Sequence, residues 1–174
     1  FYPDPRKLQP EIPGLEFAGI VSSVGARATM WRVGDRVMGI EAGGAYAEQI
    51  ATHERQLLAV PEGIDLVDAA AIPEVFLTAW DALVLQGGLT SGRWALVHAG
   101  ASGVGTAAIQ IAKAIGGRIA VTCSSGKADA CRELGADDIW QAFERTYLAE
   151  GGKRFQLVDW AETHSGADRI FAGK

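Results

Sequence analysis

The sequence predicts an α/β protein in which part of a small antiparallel β-barrel precedes part of a doubly wound parallel sheet. Three observations lead there. Up to residue 60 the chain consists of short β-branched runs punctuated by glycine turns. From residue 94 to 122 a strand, a glycine loop, a helix and a second strand follow one another, the order of a βαβ unit. Between the two, near residue 70, strand-like alternation gives way to helical spacing.

A chain of 174 residues has room for one domain or two small ones, and 48% hydrophobic with 21% charged residues is the composition of a folded protein. The change of rhythm divides it into domains expected at residues 1–69 and 70–174. In the first, strands are expected at 19–24, 36–40, 46–51 and 57–60, with Gly25, Gly34-Asp35 and Gly43-Gly44 as turns. Asp65 then offers a helix cap before Ala69-Ala70-Ala71, and Pro73 interrupts before a second helix over 74–86.

The apolar run 94–98 reads as a strand. The helix after it carries Val104, Ala108, Ile111 and Ile115 at spacings of four, three and four, the buried stripe of a crossover helix. Gly116-Gly117 stops it, and 118–122 forms the second strand. A third helix is expected over 127–134, ending at Gly135. Beyond it the signals weaken: 141–150 suits a helix and 155–159 a strand.

Sixteen basic against 21 acidic residues give a net charge of -5 without a basic run, which excludes the electrostatic footprint of nucleic acid or anionic membrane binding. The uncharged stretch 94–112 is long enough to span a bilayer, but Gly100, Gly103, Gly105, His98, Ser102 and Gln110 interrupt it, so no membrane helix is expected. Two cysteines, Cys123 and Cys131, are too few for a disulfide framework and fit a reducing cytosol, so a cytoplasmic location is expected. The start Phe1-Tyr2-Pro3 is no secretory signal, and the chain is expected to be part of a longer one.

The chemistry concentrates in Gly100-Ala101-Ser102-Gly103-Val104-Gly105, between the strand and its helix. Glycines let a backbone turn tightly against a pyrophosphate, and the N–H groups and positive dipole end of the following helix attract it. The spacing is GxxGxG. The alternative is a βα turn that needs glycine only for packing. At the end of the second strand, a carboxylate would bind the ribose 2′-hydroxyl of NAD. Here stand Ser124, Ser125 and Lys127, with no acid before Asp129, and hydroxyls with a Lys suit a 2′-phosphate. The expected cofactor is NADPH. The alternative for Lys127 is a solvated first turn of a helix.

Several motifs in order resemble one family. Leu15-Glu16-Phe17-Ala18-Gly19, Val33-Gly34-Asp35-Arg36-Val37, Ala71-Ile72-Pro73-Glu74 with Thr78-Ala79-Trp80, and 98–106 are similar to signatures of the zinc-free, zeta-crystallin-like quinone oxidoreductases of the medium-chain dehydrogenase/reductase superfamily. The resemblance covers residues 1 to about 138. It implies a partial GroES-like β-barrel catalytic domain followed by a partial Rossmann cofactor domain, a homodimer in the full-length protein, and hydride transfer from NADPH to a small-molecule quinone or α,β-unsaturated carbonyl compound. Reduction of an enoyl thioester and a non-catalytic NADPH-binding module are the alternatives.

The resemblance also implies roles for single residues. Thr78 matches a Thr on the cofactor side of the nicotinamide, though a hydroxyl inside a helix can also bond back to its own backbone. Tyr2 matches an active-site Tyr whose phenol would polarise the acceptor oxygen or donate a proton, or would only line the pocket. Leu15 stands where zinc-dependent relatives carry a ligating His, and His53, His98 and His164 are scattered, so no metal is expected.

Overall fold

A computed structural model describes residues 12–140 and the strand Arg169–Ile170. The chain divides into two compact units, one up to Val75 and the other from Phe76, so the division falls six residues after the expected boundary at 69 and inside a helix.

In the first unit, β1 (Glu16–Ile20), β2 (Arg36–Ile40) and β3 (Leu57–Ala59) form an antiparallel sheet in that order. Phe17 faces Gly39 across the β1–β2 ladder. Gly39 has no room for a side chain, because a Cβ there would lie 2.5 Å from the Gln56 carbonyl oxygen. Val37 and Met38 form the buried centre of the sheet. The strand expected at 19–24 lies earlier, at Glu16–Ile20, because β1 pairs with the whole of β2. Val21 still exchanges bonds with Gly34 and Asp35 beyond it.

The strand expected at 46–51 does not form. Gly43 and Gly44 turn the chain with positive φ, and Gly44, Ala45 and Tyr46 donate to Ile12, Gly14 and Pro13. After Tyr46 no described segment offers that stretch a ladder. Alternation of apolar residues alone does not make a strand without a partner edge. Asp65 caps α1 (Leu66–Ala69) by accepting from Asp68 N–H at 2.8 Å. Glu16 on β1 accepts from Glu74 N–H at 3.1 Å at the start of α2 (Pro73–Trp80), whose first residue, a proline, has no N–H to satisfy.

In the second unit the expected helix over 74–86 is two pieces: α2 gives way to a π-helical turn, Asp81–Gln86. β4 (Trp94–Val97), β5 (Arg118–Thr122), β6 (Asp138–Trp140) and β7 (Arg169–Ile170) form a parallel sheet in the order β6-β5-β4-β7. The crossover between β4 and β5 is α3 (Gly103–Ala114). It buries Ala107, Ala108, Ile109, Ile111 and Ala112, so of the expected stripe Ala108 and Ile111 are buried while Val104 and Ile115 are only half-buried. Its alanines let the helix lie close to the fully buried Ile119, Ala120 and Val121 of β5. Each large side chain so buried contributes about 1.5–3 kcal/mol. After β5 comes α4 (Ala128–Glu133).

The expected helix over 141–150 and strand over 155–159 lie outside the described residues, as do Tyr2 and His164. Among the described residues no helix is long and apolar enough to cross a membrane.

Candidate dinucleotide-binding loop

Because β4 and β5 run parallel and adjacent, the segments that leave their C-terminal ends stand side by side: the loop 98–102 after β4 and residues 123–127 after β5. That crevice beyond the carboxyl ends of parallel strands is where open α/β sheets bind ligands.

The loop is tied down at each step. Gly100 N–H donates to the Thr122 carbonyl oxygen at 2.9 Å, and Ser102 N–H donates to the Ala99 carbonyl oxygen at 2.8 Å. Ser102 is the N-cap of α3, and its hydroxyl accepts from Gly105 N–H at 3.1 Å. That leaves the N–H groups of Gly103 and Val104, in the first turn, without a partner among the described residues. They are the orphan donors of a helix start, at the positive end of the helix dipole.

The three glycines divide into two kinds. A Cβ on Gly100 would meet Val121 Cβ at 2.4 Å, and one on Gly105 would meet the Ala99 carbonyl oxygen at 2.4 Å, so both glycines are required for strand–helix packing. Gly103, by contrast, is exposed beside the free N–H groups. The packing reading of the loop therefore applies to Gly100 and Gly105, and the open N–H donors of Gly103 and Val104 are groups of the kind that suit a phosphate.

Across the crevice, Ser124 is exposed and leads into a 3₁₀ turn at Ser125–Lys127, with Lys127 exposed as well. The nearest carboxylate, Asp129, is paired with Arg132 at 2.7 Å on the same helix. Cys131 is fully buried, and burial, helped by the neighbouring Cys123, pushes its thiol up. Thr78 is exposed on α2 in the same unit. His98 at the strand end has Nδ1 3.2 Å from the Thr122 hydroxyl. Thr122, which meets the loop through both its hydroxyl and its carbonyl, was not among the candidates from sequence.

The first unit holds an open groove of about 1160 Å³, lined by Phe17, Trp31, Tyr46 and Leu57 together with the carboxylates of Glu16 and Glu48. Among the described residues no Lys, Arg or His lines it.

Residues 2–62 match the alcohol dehydrogenase GroES-like domain. The quinone oxidoreductase of Coxiella burnetii superposes with a TM-score of 0.71 at 32% identity, covering 83% of this chain and 46% of that one. The CurK enoyl reductase superposes at 0.69 with 33% identity, covering 81% and 44%. The matched domain and these neighbours support the medium-chain dehydrogenase/reductase superfamily. Its two parts here are a GroES-like domain and a Rossmann-like parallel sheet, as the motifs implied. In sequence, this chain is 42% identical over 153 residues to the pikromycin polyketide synthase component PikAII of Streptomyces venezuelae. That match covers 88% of the chain but 4% of the synthase, so the chain spans a small part of its curated relatives and under half of these two structures.

Proposed function

We propose that the protein is an NADPH-dependent oxidoreductase that reduces the carbon–carbon double bond of an α,β-unsaturated thioester without a metal. The observation that carries the cofactor half is the crevice itself. Gly103 and Val104 offer free N–H groups on one side, and Ser124, Ser125 and Lys127 stand opposite with no free carboxylate among them. Such a site holds a pyrophosphate at the helix start and a 2′-phosphate beside a cation, where a carboxylate would repel it.

The acceptor half rests on likeness. Relatives with 41–42% identity are polyketide synthases, and one similar structure is an enoyl reductase. When bound, the nicotinamide supplies a hydride, which goes to the β-carbon while the α-carbon takes a proton. The chain's part is to hold donor and acceptor together and exclude water. Tyr2 is the proposed proton donor or oxygen-polarising group, and Thr78 the proposed nicotinamide neighbour. A quinone acceptor is the second reading, favoured by likeness to the quinone oxidoreductases of Coxiella burnetii and Pseudomonas syringae at 32% and 34% identity. Assembly as a homodimer in the cytoplasm belongs to the same reading.

The test is NADPH oxidation by the purified protein with a crotonyl thioester and, separately, with 9,10-phenanthrenequinone. Faster turnover of the thioester supports the first reading, and faster turnover of the quinone supports the second. Tight NADPH binding without turnover of either makes the protein a cofactor-binding module.

A further inference from the structure

We propose that Thr122 is a positioning residue that sets the glycine loop for the cofactor phosphate, an inference that rests on the cofactor reading above. Three consecutive residues at the loop entrance meet it. His98 Nδ1 lies 3.2 Å from its hydroxyl, Ala99 N–H donates to that hydroxyl at 3.2 Å, and Gly100 N–H donates to its carbonyl oxygen at 2.9 Å.

Ala99 is the reason such a hold is needed. Its φ is +55°, the one positive value at a non-glycine among the described residues. An alanine Cβ crowds the backbone there, so an unconstrained chain leaves that conformation for negative φ. At positive φ the Ala99 carbonyl oxygen is turned toward the start of α3. It accepts there from Ser102 N–H at 2.8 Å and occupies the space where a Gly105 side chain would begin. Relaxation of Ala99 would swing that carbonyl away and release Ser102, the cap of α3. The N–H groups of Gly103 and Val104, which follow Ser102 directly, would then lose their common aim. Thr122 thus acts on the phosphate site through Ala99 and Ser102 without touching the phosphate. As the last residue of β5 it also leads directly into 123–125, the opposite wall of the crevice.

The experiment compares Thr122→Val, Thr122→Ser and the double variant Thr122→Val/Ala99→Gly. Valine keeps the branched shape and removes the hydroxyl, and NADPH dissociation constants should weaken about three- to tenfold, the scale of one or two lost hydrogen bonds. Serine should stay within about twofold of the parent. Glycine adopts positive φ without a Cβ penalty, so the double variant should recover most of the lost affinity. A loss caused only by a weakened sheet would not be recovered by a change in the loop. Should Thr122→Val not fold, Thr122→Ala with the same Ala99→Gly partner makes the same comparison.

Parent-like NADPH affinity in the folded Val variant, or no recovery in the double variant, overturns the inference. If the parent itself does not bind NADPH, the cofactor reading fails, and the positioning role is judged separately by amide hydrogen exchange. Faster exchange at Ala99 and Gly100 in Thr122→Val than in Thr122→Ser supports it, and equal protection overturns it.

Discussion

A Cβ atom on Gly105 would stand 2.4 Å from the carbonyl oxygen of Ala99, so the first turn of α3 and the end of the loop meet with no room for a side chain. Gly103, two residues earlier, is exposed to solvent at the helix start. The two glycines, identical in the motif, should therefore fail in different ways when substituted.

Gly103→Val is expected to remain folded and to weaken NADPH binding by at least about tenfold, since its branched side chain would block close approach of the pyrophosphate. Gly105→Val should instead lower stability by about 1–3 kcal/mol or more, because the contact it forces is with backbone and helix and loop must part. Thermal melting followed by fluorescence titration separates the two. A stable Gly105 variant with weakened binding, or a Gly103 variant that binds as the parent does, would contradict this division.

How far the fold was legible depended on where a segment finds its partner. Residues 36–40 were read with their true limits because Gly34-Asp35 marks the start and Val37 and Met38 fill the core. The crossover helix was legible from the spacing of Val104, Ala108, Ile111 and Ile115, although only Ala108 and Ile111 of these are buried. The segment 46–51 carries a comparable pattern and forms no strand, since pairing is decided by a distant edge. β6 was missed because three residues, Asp138–Trp140, are too short to show a period. At the site, the glycine spacing pointed to the loop, yet nothing in the word Ala99 announces a positive φ. Thr122, whose role depends on that angle, stayed invisible for the same reason.

NADPH should bind more tightly than NADH. Lys127 and the Ser124 and Ser125 hydroxyls face solvent after β5, while Asp129 is engaged with Arg132. Lys127→Ala is expected to weaken NADPH by about 1–3 kcal/mol, the range of a charge-assisted hydrogen bond, and to leave NADH nearly unchanged. Paired isothermal titrations decide it: equal affinity of the parent for both cofactors would overturn the assignment.

Turnover should be independent of metal. Among the described residues no group of three or more His, Cys, Asp or Glu side chains is arranged to hold an ion, and a catalytic zinc needs three such protein ligands. Exhaustive treatment with a strong chelator should leave the rate intact. Loss of activity that zinc restores would show the expectation to be wrong.

The last prediction concerns acid stability and rests on Glu54. Its carboxylate accepts from Met30 N–H at 2.9 Å and Thr29 N–H at 2.7 Å, and Trp31 donates its indole N–H to the Glu54 carbonyl oxygen at 2.8 Å, so one residue pins the loop between β1 and β2. The bond from Met30, then that from Thr29, holds the Glu54 carboxyl below its ordinary value, with the charges of His53 and Arg55 acting in the same direction. A group whose folded value is lowered contributes stability that is fully present above its unfolded value and is lost as pH falls through the folded one. Glu54→Gln keeps one acceptor oxygen and removes the charge. The variant should therefore unfold at lower urea than the parent at about pH 7, and the two midpoints should converge as the pH falls through the lowered Glu54 value, where the parent's carboxyl itself becomes neutral. A gap between the midpoints that stays constant over that range would mean that the Glu54 charge does not stabilise the loop, and that its two backbone bonds act without it.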